Sequence, residues 1–208
     1  MYVSYEMAGT STWRIDLIAG AHPEHFDAQA RRTVLWPGDY GLTWIKDPFV
    51  MARDGAWWLY AAVPPRTGPS VSGNTVTAGP LDATVLAVSQ DGRYFPEIEY
   101  VFEATTDDSW HGRRARINSV IPWNCGFFAV FDGGRTFYDN YEEKVGLARS
   151  PDRRIFTRLD TGGPWVSSPH GAVLCGVPVG KEIFLYYELT KADGSHDSRM
   201  SRVRPVPG

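Results

Sequence analysis

The chain has 208 residues, 43% of them hydrophobic, and this length and composition favour one globular domain with a buried core. Its formal net charge of −3 argues against a general role in binding nucleic acid or an anionic membrane surface, and no apolar run is long enough to cross a bilayer. The sequence shows no zinc-ligand spacing, phosphate loop or dinucleotide fingerprint, so it predicts no metal and no cofactor.

Short strands follow one another along the chain, and no stretch shows sustained helical periodicity. Strands rich in aromatic and β-branched residues are predicted at 2–7, 57–63, 127–131 and 183–188. Further apolar strands are predicted one step upstream, at 48–52, 117–121 and 171–177. Asp-Gly pairs indicate turns at 54–55, 91–92 and 132–133. The sequence therefore predicts an all-β chain.

A repeated phrase indicates how these strands are grouped. The pattern Leu-Ala-x-Ser-x-Asp-x-x-x-Phe occurs within 84–95 and 145–156, and a weaker copy, one residue shorter, runs from 15 to 26. The final phenylalanines, Phe26, Phe95 and Phe156, lie 69 and 61 residues apart. A period of this size, built from strands and turns, favours four-stranded β-blades. A β-sandwich is the alternative, but sandwiches do not usually repeat a phrase at such a spacing.

The first repeat begins directly on its aromatic strand, so its apolar first strand is missing, and about three fuller blades follow. Closed propellers need complete blades. We therefore expect residues 1–208 to form a single propeller domain that is incomplete at its N-terminus. No signal peptide is visible, which favours the cytoplasm if Met1 is the true start but leaves the cellular location open if the N-terminus is missing. The oligomeric state is open as well.

Polar residues occupy one phase of the repeat, immediately before the apolar strands. They are Lys46-Asp47-Pro48, Arg116-Ile117-Asn118 and Ser168-Pro169-His170. Residues entering the innermost strand of each blade converge at one mouth of the central channel. We therefore expect Asp47, Arg116, Asn118 and His170 to surround one cavity with acid/base capacity and hydrogen-bond donors. For each residue alone, the alternative is that it caps a strand or closes a turn.

Aromatic residues and a loop add further candidates near this mouth. The chain has 8 Trp, 10 Tyr and 10 Phe; most should pack between blades, but some should line a cleft, because aromatic faces stack on sugar rings. Trp44 and Tyr138 are the candidates for such stacking. The polar loop 132–144 carries Glu142 and Glu143, and either carboxylate could reach the channel mouth. The alternative is a solvated hairpin loop.

The segment 44–50, Trp-Ile-Lys-Asp-Pro-Phe-Val, followed by 55–60, resembles the Asp-Pro blade signature of the five-bladed β-propeller glycoside hydrolases. These are the invertase, levansucrase and arabinanase superfamily, families 32, 68 and 43. Residues 145–152 are similar to the Ala-x-Ser-x-Asp phrase of those enzymes. The resemblance covers most of the chain as a blade pattern. It implies a five-bladed β-propeller, divergent or N-terminally truncated, with a carbohydrate or other small molecule as its ligand.

In that superfamily, acidic residues on separate blades act as base or nucleophile, as general acid, and as the group that orients the sugar or tunes the acid. Asp47 matches the aspartate of the Asp-Pro motif, so the resemblance implies a transition-state-stabilising or acid-tuning role. Where the family places its catalytic glutamate, this chain has Arg116 and Asn118, then His170. The blade that carries the base would lie upstream of Met1.

Two functions therefore remain open from the sequence. In the first, the chain is a glycosidase in which a loop carboxylate, Glu142 or Glu143, supplies the acid. In the second, the propeller has lost hydrolysis and binds a sugar or a partner protein. Fold analogy does not choose between them.

Overall fold

The computed structural model describes residues 1–22, 24–66, 81–123, 126–135, 144–166, 174–191 and 193–204. Within these ranges the chain forms fourteen β-strands in four antiparallel sheets, two short 3₁₀ helices and no α-helix. The expectation of an all-β chain is confirmed. The described part holds no helix with the length and apolar character that a membrane crossing requires.

The sheets follow one another in chain order. The first contains β1 (Tyr2–Glu6), β2 (Trp13–Leu17) and β3 (Arg32–Leu35). The second contains β4 (Lys46–Arg53), β5 (Ala56–Val63), β6 (Ala83–Ser89) and β7 (Ile98–Phe102). The third contains β8 (Arg116–Trp123), β9 (Gly126–Gly133), β10 (Lys144–Ser150) and β11 (Thr157–Arg158). The fourth contains β12 (Leu174–Val179), β13 (Glu182–Thr190) and β14 (His196–Val203). The 3₁₀ helices are Ala28–Ala30 and Pro37–Tyr40.

Consecutive sheets pack face to face, and an apolar cluster fills each interface. The first cluster joins Ile15 of the first sheet to Leu59 of the second. The next joins Tyr60 of the second sheet to Phe131 of the third. A smaller cluster includes Val130 of the third sheet and residues of the fourth. Because the middle strands are covered on both faces, they are apolar at nearly every position rather than at alternate positions.

The first strands of successive sheets also contact one another, β4 against β8 and β8 against β12. The strands expected at 48–52 and 117–121 lie within β4 and β8, and 174–177 of the third expected strand lies in β12. Residues 171–173 lie outside the described residues. Four sheets stacked in chain order agree with blades rather than with the two facing sheets of a sandwich.

Equivalent hydrogen bonds show how the first sheet aligns with the others. Tyr2 Oη donates to the carbonyl of Gly92 at 2.7 Å, and Tyr60 Oη donates to the carbonyl of Arg153 at 2.9 Å. Both bonds run from one sheet to the Asp-containing turn of the next. Strand β1 therefore corresponds to β5, the second strand of the following sheet.

The repeated phrase has a local structural cause. Ser89 Oγ accepts the backbone N–H of Gly92 at 2.9 Å, while Asp91 Oδ1 accepts those of Arg93 and Tyr94 at 2.8 and 2.9 Å. These backbone hydrogen bonds lower the pKa of Asp91 to about 2. Ser150 and Asp152 make the same set of bonds in the third sheet. Serine and aspartate thus form the turn after the third strand of a sheet.

One turn assignment is wrong. Asp54 and Gly55 do form the tight turn between β4 and β5, both with positive φ, 55° and 74°. Asp132 and Gly133, in contrast, are the last two residues of strand β9. Asp132 is 2% exposed and contacts other buried side chains, so it is not a turn residue.

Replacing Tyr60 by phenylalanine should destabilise the chain by about 1 kcal/mol, because the ring stays but the Arg153 carbonyl loses its donor. This corresponds to a melting temperature lower by about 2–4 °C for a chain of this size. The control is Tyr94→Phe, since Tyr94 is 71% exposed and should tolerate the change. Equal melting temperatures for the Tyr60 variant and the unaltered chain would show that the inter-sheet hydrogen bond does not stabilise the fold.

Candidate functional site

Asp47 lies at the start of β4, where the register with β5 shifts between Lys46 and Phe49. Its φ is 55°, in the left-handed region that residues other than glycine rarely adopt. Its backbone N–H donates to Ser4 Oγ of β1 at 2.7 Å, and its side chain is 44% exposed. The Asp47 carboxylate therefore faces solvent from a residue with an uncommon backbone conformation. Such conformations are concentrated at functional sites.

Arg116 lies at the start of β8 and is 7% exposed. Its NH1 is 3.5 Å from Asp47 Oδ2, its Nε is 3.6 Å from Asp82 Oδ2, and its NH2 is 3.5 Å from Asp132 Oδ2. Burial alone would lower the pKa of Arg116, but the carboxylates of Asp82, Asp132 and Asp47 outweigh it and raise the pKa. The guanidinium is therefore a fixed positive charge shared by three acids.

Asp82 immediately precedes β6 and ties the second sheet to the entry of the third. Its Oδ2 accepts a hydrogen bond from Arg114 NH1 at 2.8 Å, and its Oδ1 accepts one from the Ala115 backbone N–H at 2.8 Å. The Asp82 and Arg114 side chains are each only 5% exposed. This pair fixes the backbone that leads into Arg116.

Asp132 lies opposite Arg116 in the β8–β9 pair. Its Oδ1 accepts a hydrogen bond from Asn118 Nδ2 at 2.6 Å. Burial raises the pKa of Asp132 to about 6, while Arg116 and Asn118 act to lower it. Asp132 is therefore a buried acid that titrates closer to neutrality than an exposed aspartate does.

We call these side chains the charge cluster: Asp47, Asp82, Arg114, Arg116, Asn118 and Asp132. It runs from solvent at Asp47, through Arg116, to the buried Asp82 and Asp132. Of its three carboxylates, only that of Asp47 is well exposed, at 44% compared with 5% and 3% for Asp82 and Asp132. The cluster therefore presents one oriented carboxylate at the surface and supports it with buried charge.

The structure brings together three of the residues expected at one mouth. Arg116 contacts Asp47, and Asn118 joins them through Asp132. Trp44 is half-buried, three residues before Asp47. The other candidates lie outside the described residues: Tyr138, Glu142, Glu143 and His170.

Sequence reasoning missed Asp82, Arg114 and Asp132. Asp132 was interpreted as half of an Asp-Gly turn, although it directly follows the apolar run Phe127–Phe131, where a single carboxylate at the end of a buried strand implies a cationic partner. Asp82 and Arg114 are adjacent to strands but carry no motif. Their pairing spans 32 residues and becomes visible only when the sheets are stacked.

Asp132 should make stability depend on pH. Since its folded pKa, about 6, lies above the unfolded value near 3.8, the stabilisation is fully present below about pH 4 and is lost as the pH rises through 6. The loss is on the order of 3 kcal/mol. In Asp132→Asn this decline should be absent, so urea unfolding from pH 4 to 7 should give a flatter curve than for the unaltered chain. Parallel curves would contradict the assignment.

No protein-family model matches the sequence, and no curated protein matches it. Solved structures do match its fold. They include a thermostable family-43 glycoside hydrolase, at a TM-score of 0.69, 15% identity and 97% of this chain. A levansucrase from B. megaterium matches at a TM-score of 0.65, with 9% identity over 99% of this chain. A family-32 β-fructofuranosidase from Bombyx mori matches at a TM-score of 0.59, with 12% identity over 98% of this chain.

The chain spans 66%, 62% and 42% of the lengths of these three structures, less than two thirds in each case. At such identities the likeness shows the fold alone. The resemblance that the Asp-Pro motif indicated is confirmed at the level of the fold: the chain shares its fold with these solved glycoside hydrolase and levansucrase structures.

Proposed function

We propose that this chain is part of a five-bladed β-propeller glycosidase, one domain across residues 1–208, that acts on a carbohydrate at the mouth of the central channel. Stacking of the sheets through β4, β8 and β12 supports the propeller, since this is how blades surround an axis. The fold relatives, among them a family-43 glycoside hydrolase, support the reaction class by analogy.

The observation that carries the proposal is the Asp47 carboxylate. It is held toward solvent on a left-handed backbone, and the buried Arg116 guanidinium lies 3.5 Å from its Oδ2. A glycosidic bond breaks through a cationic, oxocarbenium-like transition state. A carboxylate fixed before the reaction begins stabilises that charge without having to reorganise. Asp47 therefore acts as the transition-state-stabilising acid of the proposed reaction.

Arg116 receives a different role from the cavity-lining hydrogen-bond donor that the sequence suggested. Its side chain is 8% exposed and its charge faces three carboxylates, so we assign it as a positioning residue for Asp47. We assign the half-buried Asn118, which donates to Asp132, as a sugar-contacting amide. In this proposal Glu142 or Glu143 supplies the general acid, and the remaining sugar contacts come from Trp44, Tyr138 and His170.

A second function has its own support. Glycoside hydrolysis uses two carboxyl groups that flank the scissile bond. In the charge cluster, Asp82 and Asp132 are buried and each faces a guanidinium, which leaves Asp47 as the cluster's solvent-facing acid. A propeller that binds a carbohydrate without cleaving it is consistent with that arrangement.

The test is to incubate the chain with aryl arabinofuranosides, sucrose, levan and a panel of oligosaccharides, and to follow released sugars by chromatography. Binding of the same sugars is measured by calorimetry. Release of product supports the glycosidase. Saturable binding without release supports the non-catalytic propeller. Neither release nor binding across a panel of furanosides and pyranosides would contradict both functions.

A further inference from the structure

Between β2 and β3 the chain carries two imidazoles and a carboxylate side by side. The residues are His22, Glu24 and His25, and their nearest ligand atoms all lie within 4.8 Å of one another. His22 Nδ1 is 3.7 Å from Glu24 Oε2, and the two imidazole rings are 5.7 Å apart between centroids. All three side chains are exposed, so an ion from solvent can reach them.

We propose that His22, Glu24 and His25 form a binding site for a divalent transition-metal ion, with Zn²⁺ as the best fit. Two histidines and one carboxylate are a ligand set found in zinc sites that keep a further position open. Imidazole nitrogen suits Zn²⁺ and its neighbours, whereas Mg²⁺ and Ca²⁺ prefer oxygen ligands throughout. The site is distinct from the charge cluster and does not depend on the proposed glycosidase function.

The present spacing is close to what a metal needs. Ligand atoms about 2.0–2.2 Å from a tetrahedral zinc ion lie roughly 3.3 Å from each other. The separations of up to 4.8 Å therefore need to close by about 1.5 Å at most, which rotation of exposed side chains supplies. The open positions would be filled by water or by an external ligand.

Contacts on either side of the ligand set restrain the neighbouring chain. Gly20 lies so close to His25 that a Cβ there would be 2.7 Å from the His25 carbonyl oxygen. On the far side, Asp27 Oδ1 accepts the Gln29 backbone N–H at 2.8 Å, and Arg31 Nε lies 3.6 Å from the buried carboxylate of Asp16. Folding therefore already restricts the chain around the ligands, so metal binding loses less conformational entropy.

An ordinary surface ion pair does not account for this arrangement. A pair between His22 and Glu24 would contribute little at such exposure, and the second imidazole is brought beside it by a turn in which the His25 backbone N–H donates to the His22 carbonyl at 3.1 Å. A metal ion would bind both imidazole rings in their neutral form.

The experiment titrates the full chain, with any affinity tag removed, with ZnCl₂ in a calorimeter and with CoCl₂ in a spectrophotometer. We expect one ion per chain, and visible Co²⁺ absorption typical of a site of low coordination number. His22→Ala and His25→Ala should each weaken Zn²⁺ binding at least about tenfold. Since both side chains are exposed, circular dichroism and the melting temperature of the metal-free variants should be unchanged.

Two further variants keep the test sharp. Gly20→Ala retains every ligand but forces the His25 carbonyl to move, so it should also weaken binding. His196→Ala is the matched control: His196 lies 3.4 Å from Glu188 in an exposed pair, and its loss should leave Zn²⁺ affinity unchanged. The proposal is overturned when the unaltered chain binds no Zn²⁺, or when His22→Ala and His25→Ala bind it as tightly as the unaltered chain.

Discussion

Replacing Arg116 by methionine should destabilise the chain by about 3–5 kcal/mol, because it removes one partner of a buried ionic network. Methionine keeps most of the length of the side chain, so the lost volume is small. Asp82 retains Arg114, whereas Asp132 loses the guanidinium that lies 3.5 Å from its Oδ2 and keeps its hydrogen bond from Asn118. Its buried carboxylate would then be less well compensated, and a buried charge that is poorly compensated is strongly unfavourable.

The measurement is urea unfolding at pH 7, extrapolated linearly to zero denaturant. The matched control is Arg154→Met, which breaks an ion pair with Glu99 in which both side chains are about half exposed. That change should cost less than about 1 kcal/mol. Adding Asp132→Asn to Arg116→Met should recover part of the loss, since the poorly compensated charge of Asp132 is then absent. Equal losses for the buried and the exposed arginine would show that Arg116 is not the centre of the cluster.

The structural features that could be predicted from the sequence are those that depend on residues close together in the chain. The repeated phrase could be recognised because Ser89 and Asp91 accept hydrogen bonds from backbone N–H groups fewer than five residues away. Ser150 and Asp152 do the same. Such a turn recurs with the same letters wherever the same geometry recurs. The aromatic second strands could be recognised for a related reason: Tyr2 and Tyr60 each donate a hydrogen bond to the equivalent turn of the next sheet.

The charge cluster was only partly predictable because its contacts are distant in sequence. Asp47 and Arg116 are 69 residues apart, and the phase of the repeat placed both at strand starts. No phase identifies Asp132, which lies at the end of a second strand. The Asp-Gly pair predicts a turn, but glycine is present at position 133 for another reason. A Cβ at Gly133 would be 2.3 Å from the Trp110 ring, so glycine is required there by packing between chain segments.

Replacing Asp47 by asparagine should lower kcat/KM by at least about a hundredfold for whichever glycoside the chain hydrolyses. Asparagine preserves the shape, but it removes the negative charge that faces the developing cation. Stability should change by less than about 1 kcal/mol, because the lost pairs with Arg116 and Lys46, both at 3.5 Å, involve a carboxylate that is 44% exposed. Asparagine also tolerates the left-handed backbone at φ 55°.

The other end of the same strand offers a matched control in Asp54. Asp54 has the same φ of 55° and is also exposed, but it lies in the turn after β4, where its carboxylate pairs with Arg153. Asp54→Asn should therefore leave kcat/KM unchanged. If Asp47 only shapes the start of β4, both variants should behave alike, with similar small effects on unfolding and none on turnover. A loss of turnover confined to Asp47→Asn, with unfolding unchanged, is what a carboxylate that stabilises the transition state requires, since its charge then matters to the reaction and not to the fold.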